Sequence, residues 1–167
     1  MKRVILILMA FISMTAKAQG WTSVQAVGVL PGNSAEVNRQ RLQDAIDKMS
    51  PMGGVLYVEP TRGGYPMEGG LVLKRNVTLL GAHGPTGRGT ALPDRSGPTG
   101  SLFVITDRER PFLTVESATQ VRGIQFYYPE QSWQEGQAVI PYPTTIRLAE
   151  QQNVTGVTLS QLTVYGE

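Results

Sequence analysis

The 167-residue chain has no cysteine and a single histidine, His83. Disulfide scaffolds and thiolate metal sites are therefore excluded, and one imidazole offers no second histidine ligand for a metal centre. Charge is also scarce: charged residues make up 17%, with 15 Lys plus Arg against 13 Asp plus Glu. No basic face of the kind that phosphate binding needs can be assembled, so a nucleic-acid partner is not supported. The longest apolar run, Val4 to Ile12, falls well short of the roughly 20 residues that span a bilayer. Intrinsic disorder is excluded by the 41% hydrophobic content.

Glycine and proline, by contrast, are abundant, at 19 and 11 residues. That composition points to a single turn-rich β domain. The first 18 residues read as a signal peptide: Lys2 and Arg3 precede the apolar run, and Ala16-Lys17-Ala18 gives the small-x-small cleavage pattern. Cleavage removes three basic residues and no acid, leaving 12 against 13. The expected product is a secreted or periplasmic protein of residues 19–167, with no membrane contact after cleavage.

Within that product, Val24, Ala26 and Val27 to Leu30 suggest a short strand ending at Pro31-Gly32. Asn33 or Ser34 can cap a helix, and Leu42, Ala45, Ile46 and Met49 follow a helical stripe, so a helix is predicted over about Ala35 to Met49. No second helix is evident. Short β-branched runs follow: Val55–Val58, Leu71–Leu73, Val77–Leu80, Leu102–Ile105, Phe112–Val115, Gly123–Tyr128, Ile146–Leu148 and, with breaks, Val154–Val164.

Three of these stretches resemble one another: "LVLKRNVTLLG" from Leu71, "FLTVESATQVRGIQF" from Phe112 and "TIRLAEQQNVTGVTL" from Thr145. Each has a strand, a polar corner, an amide and a second strand, which aligns Asn76, Gln120 and Asn153. Irregular repeats of this kind fit stacked coils carrying loops of different length, with corner amides in a ladder. The expected fold class is all-β, a single-stranded right-handed parallel β-helix with one N-terminal capping helix. Asn76-Val77-Thr78 and Asn153-Val154-Thr155 also match the glycosylation acceptor pattern, but their repeat position favours the ladder.

The stretch from Val24 to Ala82 resembles the N-terminal part of the pectate lyase-like superfamily, related to glycoside hydrolase family 28. The likeness rests on "LQDAID" at Leu42–Asp47, Gly53-Gly54, "VLYVEP" at Val55–Pro60, Gly64-Tyr65 and "LVLKRNVTLLGAHG" at Leu71–Gly84. The acidic turn usual before the helix is replaced by "PGNSAEVN", and the element before Tyr65 is stretched to "PTRGGY". The resemblance implies an exported enzyme acting on a polysaccharide, a lyase or hydrolase of uronic-acid-containing glycans, with catalytic residues in later coils. It allows Ca2+ in the family, although no site is assignable here and no cofactor is evident. A non-catalytic β-helix for glycan binding or adhesion, like a tailspike, is the alternative. The strand-like ending "LTVYGE" suggests a truncated solenoid whose open edge is covered by further coils or by an oligomer.

Candidate site residues are few. Gly81 to Gly100 forms a long Gly/Pro loop without the Lys-Ser/Thr of a phosphate loop, and His83 within it reads as a turn residue. Asp107 and Glu109 alternate in "TDRERP"; in an extended segment they share a face about 7 Å apart, within the range of inverting glycosidases. The flanking Arg108, Arg110 and Pro111 suit a charged turn equally well. Tyr127, Tyr128, Trp133 and Tyr142, with Glu130 and Glu135, could form one wall of a glycan groove, or pack their loop onto the coil.

Overall fold

The computed structural model describes residues 20–84, 100–131, 135–136, 138–150 and 153–166. The helix forms where the apolar stripe places it: α1 spans Ala35–Met49. Ser34 is its cap, the hydroxyl accepting from the Val37 N–H at 3.4 Å. Asn33 instead donates to the Gly28 carbonyl and to Asn38 Oδ1. Leu42 and Ile46 are completely buried, each worth about 2 kcal/mol of transfer free energy. Gly53, at φ 76°, closes the end by donating to the Met49 carbonyl.

Twelve strands are found among the described residues: β1 (Trp21–Ser23), β2 (Gly54–Val58), β3 (Tyr65–Met67), β4 (Leu71–Leu73), β5 (Val77–Gly81), β6 (Leu102–Ile105), β7 (Leu113–Val115), β8 (Gln120–Arg122), β9 (Gln125–Tyr128), β10 (Ile146–Leu148), β11 (Thr158–Ser160) and β12 (Thr163–Gly166). They make three sheets, all parallel: sheet A in the order β1-β2-β5-β8-β11, sheet B as β3-β6-β9-β12 and sheet C as β4-β7-β10. From β2 onward the chain visits A, B and C in turn, and each return to A lands beside the previous A strand. One such passage is a circuit. The parallel all-β expectation is met at this level.

Stacked circuits bring equivalent residues into columns. Leu56, Leu79, Val121 and Leu159 align in sheet A. Tyr65, Phe103, Phe126 and Val164 align in sheet B, and Leu73, Val115 and Leu148 in sheet C. Phe112 joins the sheet B column, its ring 5.3 Å from Phe103 and 5.4 Å from Phe126. Period-2 alternation turns these side chains to one side of each sheet, where the core forms.

One end is sealed sheet by sheet. β1 covers the edge of sheet A. On sheet C, Gln43 of α1 imitates a strand, its Oε1 accepting from the Val72 N–H at 2.8 Å and its Nε2 donating to the Val72 carbonyl at 3.1 Å. At sheet B, buried Asn38 donates to the Pro66 carbonyl while its amide also pairs both backbone groups of Leu30. At the opposite end no described strand pairs with the outer edges of β10, β11 and β12, and Leu148, Leu159 and Val164 are about half exposed.

Three expectations change. Val27 to Leu30 is not a strand: β1 precedes it, and Gln25–Val27 forms a 3₁₀ turn that folds Val24 and Val29 into the core. β3 was not foreseen because Pro66 sits at its centre; an edge strand tolerates the missing donor. The amide ladder is also replaced. Register places Gly53, Asn76, Ala118 and Gly156 at equivalent corners, all with positive φ, while Gln120 opens β8 and Asn153 lies off the column. The repeat therefore records a left-handed backbone, which Gly and Asn tolerate best. Hydrogen bonds run through the corner from Gly54 to Asn76, Asn76 to Ala118 and Ala118 to Thr155.

Candidate functional site

The most elaborated part of the surface is the corner between sheets B and C. There three successive circuits contribute residues 68–70, 106–112 and, among the described residues of the third, 129–131 and 138–145. In the second, Asp107 holds the turn together. Its Oδ1 accepts from the backbone N–H groups of Glu109 at 2.8 Å and Arg110 at 3.2 Å; its Oδ2 accepts from the Gly69 N–H at 3.1 Å and from Arg110 Nε at 2.8 Å. Gly69 is required at that approach, since a Cβ would stand 2.6 Å from the Arg110 carbonyl. Arg110 extends to Glu68 at 3.0 Å, and Arg39 of α1 lies 3.8 Å from the same carboxylate.

The next circuit is joined through Glu130. Its Oε2 accepts from Arg108 Nε at 2.7 Å and from the Tyr142 hydroxyl at 2.6 Å, and Arg108 Nη2 is ion-paired with the same oxygen at 2.6 Å. The Tyr142 hydroxyl and the guanidinium hold the Glu130 carboxyl below its usual range. For Asp107, burial alone would push the pKa up, but the Glu109 and Arg110 hydrogen bonds and the Arg110 charge outweigh it and lower it.

Two motifs that the sequence keeps apart therefore meet: "TDRERP" and the aromatic segment are joined by Arg108, Glu130 and Tyr142. Asp107 and Glu109 stay in one turn, but Asp107 is enclosed and engaged by four donors whereas Glu109 is exposed. A carboxylate so occupied holds a fold better than it shuttles protons. Tyr127 and Tyr128, adjacent on β9, project to opposite faces. Tyr128 packs edge-on against Tyr142 with ring centroids 4.8 Å apart, its hydroxyl 2.7 Å from Thr145 Oγ1. Tyr127 stacks beside Tyr165 at 5.1 Å. Both are nine-tenths buried, so they do not form one groove wall with Tyr142. Trp133 lies outside the described residues, as do residues 85–99 of the Gly/Pro loop and residues 1–18. His83 is exposed, with Nε2 3.0 Å from Thr163 Oγ1.

In the sequence Arg108 is only a flanking charge; its role as a connector emerges where the circuits stack. Alternating charge in a turn signals that circuits can pair there, but not which partner is met. Among the described residues no group of three or more His, Asp or Glu is placed to hold a metal ion, and no helix is long and apolar enough to cross a membrane. Comparison with protein families, curated proteins and solved structures finds no match.

Proposed function

We propose that the three sheets are the walls of a right-handed parallel β-helix and that the chain is the N-terminal part of an exported polysaccharide-degrading enzyme, a lyase or hydrolase of uronic-acid-containing glycans such as pectin. The fixed A-B-C order supports the helix, and parallel crossovers take the right hand almost without exception. The carrying observation for function is the B–C corner. Carboxylates of three successive circuits, Glu68, Asp107 and Glu130, stand there at a strand spacing of about 4.8 Å, linked by Arg108 and Arg110 of the middle circuit, a charged row that suits an extended polymer better than a compact ligand. Catalytic groups are assigned to further circuits, which would also cover the open edges of β10, β11 and β12. A second reading, a non-catalytic scaffold for glycan binding or adhesion, is favoured by one observation: Asp107 and Glu130 are both tied down by arginines.

The test is incubation of the chain with polygalacturonate, following unsaturated products by near-ultraviolet absorbance, reducing ends by end-group assay and retention on a polygalacturonate gel. Retention without turnover is expected from this chain, and turnover from the native secreted polypeptide identifies the enzyme. Retention without turnover by both identifies the scaffold. Neither retention nor turnover in either protein would contradict both readings.

A further inference from the structure

Glu130 occupies a position that is better explained as a binding site than as a structural tie. Arg108 Nε and the Tyr142 hydroxyl donate to one of its oxygens at 2.7 and 2.6 Å, and Arg108 Nη2 is ion-paired with the same oxygen at 2.6 Å. The donors are held from behind. Arg108 rides on the turn that Asp107 staples, enclosed between Asp107 and the Glu109 and Arg110 N–H groups that Asp107 accepts from. Tyr142 is packed against the core and edge-on to Tyr128. Both charged partners are open to solvent, the Glu130 side chain 38% exposed and that of Arg108 49%. The other arginine of this turn, Arg110, is committed to Asp107 and Glu68.

We propose that Arg108 and Tyr142 form a carboxylate-binding fork for the uronate groups of an acidic glycan, with Glu130 as the resident occupant that a ligand carboxylate displaces. The inference rests on the acidic-glycan reading above and adds to it the recognition residues. The side of the guanidinium that meets Glu130, Nε and Nη2, is the edge that can pair with both oxygens of a ligand carboxylate, whereas Glu130 brings one oxygen to it. The phenol adds a third donor. A neutral sugar hydroxyl gains less from the same fork, so the site selects for acid. Glu130 then sets the threshold: a ligand binds only by outcompeting a tethered carboxylate.

The experiment follows the Arg108 Nε–H resonance of 15N-labelled protein during titration with glucuronate, with tri-galacturonate and with neutral galactotriose. It is repeated for Glu130→Ala, Glu130→Gln and Arg108→Ala, with thermal melts to confirm that each variant is folded. Both Glu130 variants are expected to bind glucuronate and tri-galacturonate about three- to fivefold more tightly, the modest competition that an exposed ion pair exerts. Galactotriose binding should not change, and Arg108→Ala should lose the acidic preference. Unchanged or weakened acidic binding in the folded Glu130 variants would overturn the fork. If glucuronate shifts Arg108 as described but polygalacturonate is neither retained nor cleaved, the fork stands and the glycan reading fails.

Discussion

At the residue scale, the corners decide which side chains are allowed. Gly123 holds φ at 70°, and a Cβ there would stand 2.2 Å from the Gly81 carbonyl oxygen of the neighbouring circuit. Gly156 has the same φ, yet its nearest neighbours would be 3.7 Å away. Gly123→Ala is therefore expected to cost about 3 kcal/mol or more, combining backbone strain with a clash against backbone, and Gly156→Ala only about 1 kcal/mol. Urea titration of the two variants checks this, and equal losses would mean that the circuits do not approach at Gly81. Asp107 supplies a pH test. Its folded pKa lies below the reference 3.8, so the stability it contributes is present above about pH 4 and lost as pH falls through the folded value. The melting temperature of the wild type should fall more steeply below pH 4 than that of Asp107→Asn; parallel curves would remove the staple. Glycine abundance was legible in the sequence, but the reason for it was not. The repeat suggests a ladder amide at Asn76, whereas its side chain reaches back to the Ser50 carbonyl and its backbone makes the corner.

At the scale of elements, α1 and the longer strands were legible because their signals are local: a cap, a helical stripe and short β-branched runs. The three-residue strand at Tyr65 is not, because its pairing is set by neighbours far along the chain. The site was half legible for the same reason. "TDRERP" declares its charge, but only stacking brings Arg108 to Glu130, and simple alternation along β9 would have separated Tyr127 from Tyr128. The capping role of α1 gives the element-scale prediction. Gln43→Ala leaves the Val72 N–H and carbonyl without their side-chain partners, which should cost about 1–2 kcal/mol and speed amide exchange at Val72 selectively. Hydrogen exchange measures both; no change at Val72 would show that Gln43 is not its partner in solution.

At the scale of the whole molecule, the stacking of circuits does the organising. It makes columns out of residues dozens of positions apart and gathers charged turns into one corner. It also leaves two unlike ends: one covered by β1, Asn38 and Gln43, the other presenting half-exposed Leu148, Leu159 and Val164. Parallel stacking in this register is the central claim, since the corner, the fork and the unlike ends all depend on it. Interstrand nuclear Overhauser contacts in the isotope-labelled chain test it most directly. Amide and α-proton contacts should link Leu79 with Val121 and Val121 with Leu159 in the pattern of parallel strands, with none between Leu56 and Val121, two strand spacings or about 10 Å apart. Close α-proton pairs between facing residues, the mark of antiparallel strands, or a register shifted by one residue would contradict the account.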